Sequence, residues 1–238
     1  MDDKMDARDG SAAERAYATI KREIIYNRFG VCSQLKTDEL RRKHHSLGIT
    51  PIRDALIKLN QQDFIDYTPN IGYFTRVLTT SNFMDHYNLE LLHLKYAIES
   101  GALPFAGEGL DPPSLFDAPE STGEAEATQS SARFIENVYG RIARMSENRK
   151  LVRHNELFCD HTAYIRELGL ERTKDQGTII DVVKRLAAQL ANDERAAAID
   201  TLVALFDRKI ALLDGSVNEG NNRALVITQG VRGGARAR

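Results

Sequence analysis

The chain has 238 residues, of which 42% are hydrophobic and 28% are charged, with a formal net charge of −2. This length suits one large domain or two ordinary ones, and the composition allows each a buried core. The apolar runs are too short to span a bilayer, the polar N-terminus does not resemble a secretory signal, and two distant cysteines exclude a disulfide framework. We therefore expect a cytoplasmic protein without a membrane segment.

The charge is unevenly distributed along the chain. Residues 15–76 contain eleven Lys or Arg against six Asp or Glu, whereas acidic residues outnumber basic ones in the remainder. A basic module attached to an acidic one is typical of polyanion binding. One protein surface can vary by that much without function, so the interpretation depends on the elements themselves.

Two helices are predicted first. Apolar residues at helical spacing predict a helix over Ala12–Arg28, which Asn27 and Gly30 end. Thr37 and Asp38 are predicted to cap a second, short helix that continues to His44.

The stretch GITPIRDAL, residues 48–56, predicts the start of a third helix. Thr50 suits the N-cap, because its hydroxyl can accept a hydrogen bond from a backbone N–H of the first turn. Pro51 suits the first helical position, where its missing N–H costs nothing. From Pro51 to Gln61 the apolar residues share one face, which leaves Arg53 exposed in the first turn.

A β-hairpin is predicted after the third helix. The segments 64–67 and 73–77 are strand-like, and the turn 69–72 between them contains Gly72, for which we expect a positive φ. Three short helices followed by a hairpin form a winged helix-turn-helix, which most often binds duplex DNA. The alternative is a winged helix that contacts only other proteins.

Two segments resemble the GntR family of bacterial transcription regulators: TPIRDALIKLNQQDFI (50–65) and PNIGYFTRV (69–77) are similar to its recognition helix and glycine-bearing wing. The resemblance implies a DNA-binding domain over residues 11–78 and a homodimer on a double-stranded operator. Family members usually carry Ser-Arg-Thr before the proline, where this chain has Gly48-Ile49-Thr50. One DNA-contacting arginine is therefore absent, which affects operator preference more than DNA binding.

The candidates for DNA contact are polar, basic or turn residues of this domain: Lys36, Arg41, Arg42, Lys43, Thr50, Pro51, Arg53, Lys58, Asn70, Gly72 and Arg76. The basic cluster at 41–43 suits phosphates, although a merely solvated helix face explains it equally well. His44 and His45 are interpreted as surface residues, because neighbours on a helix point in different directions.

The rest of the chain is predicted to form an all-α bundle over residues 82–214, so the fold class is mainly α. Helical patterns cover residues 83–102, 131–146, 150–168, 178–191 and 193–213, with Asp193 as a cap, and no β pattern appears. The segment 103–130 is predicted to be an acidic flexible loop. The segment 215–238 is predicted to be a disordered basic tail.

An all-α domain after such a winged helix resembles the FadR subfamily, whose bundle binds a small effector and dimerises. The resemblance rests on NELFCDHTAYIRELG (155–169) and NDERAAAIDTLVAL (192–205). Many relatives hold a metal through an Asp-x-x-x-His pair and two later histidines. Here Asn155 and Cys159 stand at the pair and no histidine follows His161, so we expect no metal or other cofactor. Asn155 and Cys159 are expected to line an effector cavity, with His93 and Arg208 meeting an anionic carboxylate or acyl compound.

The sequence thus predicts a DNA-binding regulator with a small-molecule effector. One alternative is a bundle that only dimerises and binds no ligand. An enzyme is the opposing class, with Asp160 and His161, or His154 and Cys159, as catalytic pairs. The sequence shows no nucleophile elbow, phosphate loop or metal-ligand set, so we expect no enzyme.

Overall fold

The computed structural model describes residues 10–113, 124–173 and 176–235. Within these ranges the helices and strands are α1 (Ala12–Ile25), α2 (Thr37–Lys43), α3 (Ile49–Gln61), β1 (Ile65–Thr68), β2 (Gly72–Thr75), α4 (Thr80–Ser100), α5 (Glu124–Met145), α6 (Arg149–Arg172), α7 (Gln176–Ala191), α8 (Arg195–Ala211) and α9 (Leu213–Ala235). The chain divides into two compact units. One combines residues up to Leu78 with those from Gly220, and the other is Thr79–Glu219.

Helix α1 begins with a reciprocal capping box. The Ser11 hydroxyl accepts from the Glu14 N–H at 3.2 Å, and the Glu14 carboxylate accepts from the Ser11 N–H at 2.7 Å. The buried side of α1, with Ala16 and Ile20, packs against α3. This contact holds the third helix in place by its apolar face.

Helices α2 and α3 begin earlier than predicted. Lys36 precedes α2, and its side chain does not cap the helix, so the predicted capping by Thr37 and Asp38 is wrong. Gly48 is the N-cap of α3, so Thr50 lies inside the helix. Pro51 is therefore the third helical residue, and its missing N–H still costs no hydrogen bond, because the first intrahelical bond is made by the next residue.

The wing is present with a three-residue loop. Strands β1 and β2 are antiparallel, with Ile65 opposite Thr75 and Thr68 opposite Gly72. Gly72 opens β2 with φ 126°, so its predicted positive φ is confirmed, and Asn70 in the loop has φ 63°. Residues 33–35 pair with the other edge of β2, where they widen the base of the wing.

The second unit is helical, as predicted, and aromatic side chains fill its centre. Tyr87 meets Phe158 edge-on at 5.3 Å between ring centroids, and Tyr139 meets Phe206 at 5.5 Å. All four rings are buried. Edge-to-face and tilted ring contacts of this kind add to the stabilisation from burial alone.

Several predicted segments need correction. Helix α5 begins at Glu124, so the end of the predicted acidic loop is helical, while residues 114–123 lie outside the described residues. Asp193 does not cap α8, whose N-cap is Glu194.

The predicted disordered tail is also wrong over most of its length, because α9 continues to Ala235. Leu213, Val217 and Ala224 are buried at helical spacing along α9. Burial of this stripe outweighs the low helix propensity of the glycines and asparagines around it. Residues 236–238 lie outside the described part of the chain. Across the described ranges, no helix is both long enough and apolar enough to cross a membrane.

Candidate functional site

The outer face of α3 is the first candidate site. Ile52 and Leu56 are buried on its inner face, whereas Thr50 and Arg53 are exposed on the outer one. Arg53 was predicted to lie in the first turn of this helix. Because α3 begins at Ile49, Arg53 is its fifth residue and lies just after the first turn. Among the described residues Arg53 has no ion pair or hydrogen-bond partner, and the same holds for Arg41 on α2. Both guanidinium groups are therefore available to an external anion.

Two further predicted DNA contacts rest against neighbouring side chains of the same unit. The Lys43 ammonium lies 2.8 Å from the Glu23 carboxylate and 4.6 Å from the centre of the Phe29 ring. The Lys58 ammonium lies 4.2 Å from the centre of the Tyr17 ring. Both lysines are exposed, and such contacts are worth about 1 kcal/mol or less, so a phosphate can compete with them.

Two other predicted contacts are directed along α2. The Lys36 ammonium pairs with Glu39 at 3.1 Å, and both side chains are about half exposed. The Arg42 Nε donates to the backbone carbonyl of Asp38 at 3.3 Å. Both contacts are local and exposed to solvent, so they orient the Lys36 and Arg42 side chains but are weak enough to be exchanged for a contact to an external anion.

The wing arginine is committed to the wing itself. Arg76 donates from Nε to the Asp66 carboxylate at 2.8 Å, and from Nη1 to the Asp63 carbonyl at 2.5 Å. These exposed contacts brace the hairpin, and the role of Arg76 as a DNA contact remains a prediction. Asn70 stays exposed at the tip of the loop, beside the exposed Ile71.

The second unit contains a cluster of one buried carboxylate and two half-buried imidazoles. Asn155 on α6 donates to Glu90 Oε1 on α4 at 2.7 Å, and Glu90 Oε2 lies 3.6 Å from His154 Nε2. The His93 and His154 rings meet edge-on at 4.3 Å between centroids. Burial raises the pKa of Glu90 to about 7 and lowers the pKa of both histidines.

A second pair of histidines lies along the same two helices. His86 and His161 stack with ring centroids 4.6 Å apart and planes 22° from parallel. His86 precedes His93 by seven residues on α4, and His154 precedes His161 by seven on α6. Residues seven apart share a helix face, so four of the six histidines line the α4–α6 contact.

A buried arginine lies nearer the centre of the bundle. Arg166 forms an ion pair with Glu136 and donates to the Thr162 hydroxyl at 2.7 Å and the Cys159 carbonyl at 3.0 Å. Its Nε has no partner among the described residues. A buried cation with an unused donor is suited to an anionic group.

Lys209 on α8 is the second buried cation. Its ammonium donates to the Tyr139 hydroxyl at 2.8 Å. Burial, with a further contribution from the Arg166 charge, lowers the pKa of Lys209 to about 7. Both cations line a cavity of about 20 Å³, which has room for roughly one water molecule.

The predicted effector residues are only partly brought together. His93 and Asn155 meet at Glu90, while Asn155 and Cys159 line an open pocket of about 570 Å³ between α5 and α6. Burial raises the pKa of Cys159 to about 12, which keeps the thiol protonated and argues against its use as a nucleophile. Arg208 is exposed, whereas the next residue along α8, Lys209, is buried, and the role of Arg208 as an effector contact remains a prediction.

Sequence reasoning missed Glu90, Arg166 and Lys209, and it considered His154 only as a catalytic partner of Cys159. The paired heptad spacing of the histidines was one available signal. Another was Lys209 itself, a charged residue that continues the buried apolar stripe of residues 198, 202, 205 and 206 on one face of α8. Nothing local singles out Glu90, since acids are common on exposed helix faces.

Comparison with known proteins gives a likeness in structure. No protein-family model and no curated protein matches the sequence. Escherichia coli McbR/YncC matches with a TM-score of 0.60 at 16% identity, covering 87% of this chain and 98% of that one. Lar, which controls expression of the Listeria monocytogenes agr system, matches with a TM-score of 0.59 at 14% identity, covering 88% and 98%. A GntR transcriptional regulator from Rhodococcus sp. RHA1 matches with a TM-score of 0.59 at 14% identity, covering 87% and 99%.

The chain has the fold of the GntR transcription regulators. The matches extend over nearly the full length of each regulator, so the likeness covers both the winged helix and the helical unit. At identities of 14–16% these structures establish the fold, whereas the chemistry of this chain depends on its own side chains.

Proposed function

We propose that this chain is a sequence-specific DNA-binding transcription regulator that acts in the cytoplasm. The observation that carries the proposal is Arg53, exposed near the start of α3 and without a partner among the described residues. In helix-turn-helix proteins the N-terminal part of this helix meets base edges in the major groove. Arg53 can make such a contact without breaking an existing ion pair.

The surrounding basic residues support contacts to the DNA backbone. Arg41 is exposed and unpaired within the described residues, and Lys43 and Lys58 hold only exposed, exchangeable contacts. Contacts of this kind fix the protein on the duplex and make binding salt-dependent. The likeness to GntR regulators supports the same use of the surface.

The test uses duplex DNA selected from a random library by the wild-type protein. Arg53→Ala is expected to weaken binding to the selected site by about 1–3 kcal/mol at fixed salt and to relax selectivity at one position. Arg149→Ala is the matched control, since Arg149 is an exposed arginine at the start of α6 in the other unit. Equal affinity and selectivity of both variants and wild type would remove α3 from the interface.

We further propose that the chain acts as a homodimer. Leu89, Leu92 and Tyr96 are 43%, 63% and 54% exposed and lie on one face of α4. An apolar stripe of this kind supports association with a second copy, and two copies would read two half-sites of an operator. Leu92→Glu should shift the wild-type dimer to monomer in analytical ultracentrifugation, whereas Arg133→Glu on α5 should not.

The helical unit is proposed to bind a small anionic effector, a carboxylate or acyl compound, as in the FadR-like regulators. The pocket between α5 and α6 has the necessary volume, and Arg141 and Arg144 line it together with Asn155 and Cys159. A screen of metabolite carboxylates by thermal shift should find a compound that stabilises the wild-type protein.

Loss of the shift in Arg144→Gln, but not in Arg133→Gln on the same helix, would place the ligand in this pocket. If no compound raises the melting temperature and metabolite extract leaves DNA binding unchanged, the alternative of a bundle that only dimerises is favoured.

A further inference from the structure

Three buried side-chain oxygen and nitrogen atoms converge between α4 and α6 without hydrogen-bond partners. They are Glu90 Oε2, His93 Nδ1 and His154 Nε2, all unpartnered among the described residues. One ligand atom from each residue lies within 4.8 Å of the other two. An unpartnered buried polar atom is unfavourable, because it gives up its hydrogen bonds to water without replacement, so three in one place require a physical explanation.

Hydrogen bonding within the cluster does not supply that explanation. Glu90 Oε2 and His154 Nε2 are 3.6 Å apart, which is beyond hydrogen-bond distance. The two imidazole rings meet edge-on, so they do not satisfy one another's nitrogens either.

We propose that Glu90, His93 and His154 form a binding site for a divalent transition-metal ion, with Zn²⁺ the best fit. One carboxylate and two imidazoles are the ligand types that Zn²⁺ takes, and three protein ligands leave a position open for water or a ligand oxygen. Glu90 and His93, three residues apart on α4, present neighbouring positions on one helix face. His154 supplies the third ligand from α6.

The geometry needs only a small contraction. Ligand bonds of about 2.0–2.1 Å in a tetrahedral site place donor atoms roughly 3.3 Å apart. The Glu90–His154 pair is already at 3.6 Å, and no pair exceeds 4.8 Å. Asn155 acts as a positioning residue, because its amide holds Glu90 Oε1 at 2.7 Å and directs Oε2 toward the histidines.

This site differs from the ligand set considered in the sequence. The expectation of no metal rests on Asn155 and Cys159, neither of which is one of the three ligands proposed here. The proposal goes beyond DNA recognition and does not depend on it. Metal binding can therefore be measured without DNA, and its failure would leave the DNA-binding proposal untouched.

The test is a titration of Zn²⁺ into the full chain, purified without an affinity tag and dialysed against a chelator. Isothermal calorimetry should show one saturable site per chain, and Zn²⁺ should raise the melting temperature. His93→Ala and His154→Ala should each weaken binding by at least roughly tenfold, since loss of an outer partner alone costs 10–100-fold. His45→Ala, at an exposed histidine of the other unit, should leave binding unchanged.

A second measurement keeps the proposal testable if the variants fail to fold. Co²⁺ bound to the wild-type protein should show the visible spectrum of a nitrogen and oxygen site without a thiolate charge-transfer band. A thiolate band would place the metal at Cys32 or Cys159 and overturn the ligand assignment. Absence of saturable Zn²⁺ and Co²⁺ binding, or equal affinity in His93→Ala, His154→Ala and wild type, would overturn the site itself.

Discussion

Replacement of Lys209 by methionine tests the electrostatics of the bundle core. The substitution keeps a long, unbranched side chain and removes an amine that burial and the Arg166 charge disfavour in its protonated form. The pKa of this lysine falls from 10.5 to about 7, so the unfolded chain binds more protons than the folded one between these values. The free energy of unfolding of the wild type is therefore expected to rise with pH between about 7 and 10.5. Below about pH 7 the folded protein carries the full cost of burying the protonated amine.

The size of the effect follows from the same shift. At about 1.4 kcal/mol for each pKa unit, the penalty approaches roughly 4 kcal/mol at pH 7. Loss of the ammonium partner of the Tyr139 hydroxyl opposes this gain by about 1–3 kcal/mol. Lys209→Met is thus expected to be more stable than wild type by on the order of 1–3 kcal/mol at pH 7, or a few degrees in melting temperature.

The assay is urea unfolding followed by far-UV circular dichroism at several pH values from about 7 to 10, which spans the shifted titration. The stability gain of Lys209→Met should be largest at the low end and change to a small loss at the high end, where the protonation penalty has nearly gone and the lost Tyr139 hydrogen bond remains. Lys150→Met, at an exposed lysine near the start of α6, is the control and should show no such trend. Parallel profiles for wild type and Lys209→Met would refute the assignment of a buried, destabilised amine.

Three more substitutions probe local geometry. Gly72→Ala should destabilise the wing by about 1–2 kcal/mol and weaken DNA binding, because residue 72 has φ 126°. Chymotrypsin should then cleave faster at the aromatic residues of the wing, and an unchanged cleavage rate would contradict the prediction. Gly101→Ala should lower the melting temperature by a few degrees, because the new Cβ at φ 41° would also lie against the Arg195 guanidinium; a fully stable variant would exclude the strain. Asn155→Ala should cost about 1–3 kcal/mol in urea unfolding by leaving Glu90 Oε1 unpaired, and no loss would show that another group replaces the amide.

The winged helix was predictable from the sequence because its signals are local. The apolar spacing of α3, the proline near its start and the glycine of the wing each act within a few residues of chain. The exact caps were less predictable: Thr50 is chemically suited to the N-cap, yet packing of α3 on α1 starts the helix two residues earlier.

The order of the bundle helices was predictable for the same reason, whereas α9 was not. Its glycines and asparagines disfavour an isolated helix, and only burial of Leu213, Val217 and Ala224 stabilises it. That burial depends on residues far away in the chain, so a local pattern does not report it.

The sequence by itself determined that exposed basic residues surround the third helix and that histidines recur at seven-residue spacing on two helices. Only the tertiary structure decided which of these groups meet. It paired Arg76 with Asp66 on the surface of the wing while leaving Arg53 free of partners among the described residues. It also brought Glu90 and His154, 64 positions apart in the numbering, to within 3.6 Å. Periodicity fixes the face on which a side chain lies, but the packing of one helix on another fixes what that face meets.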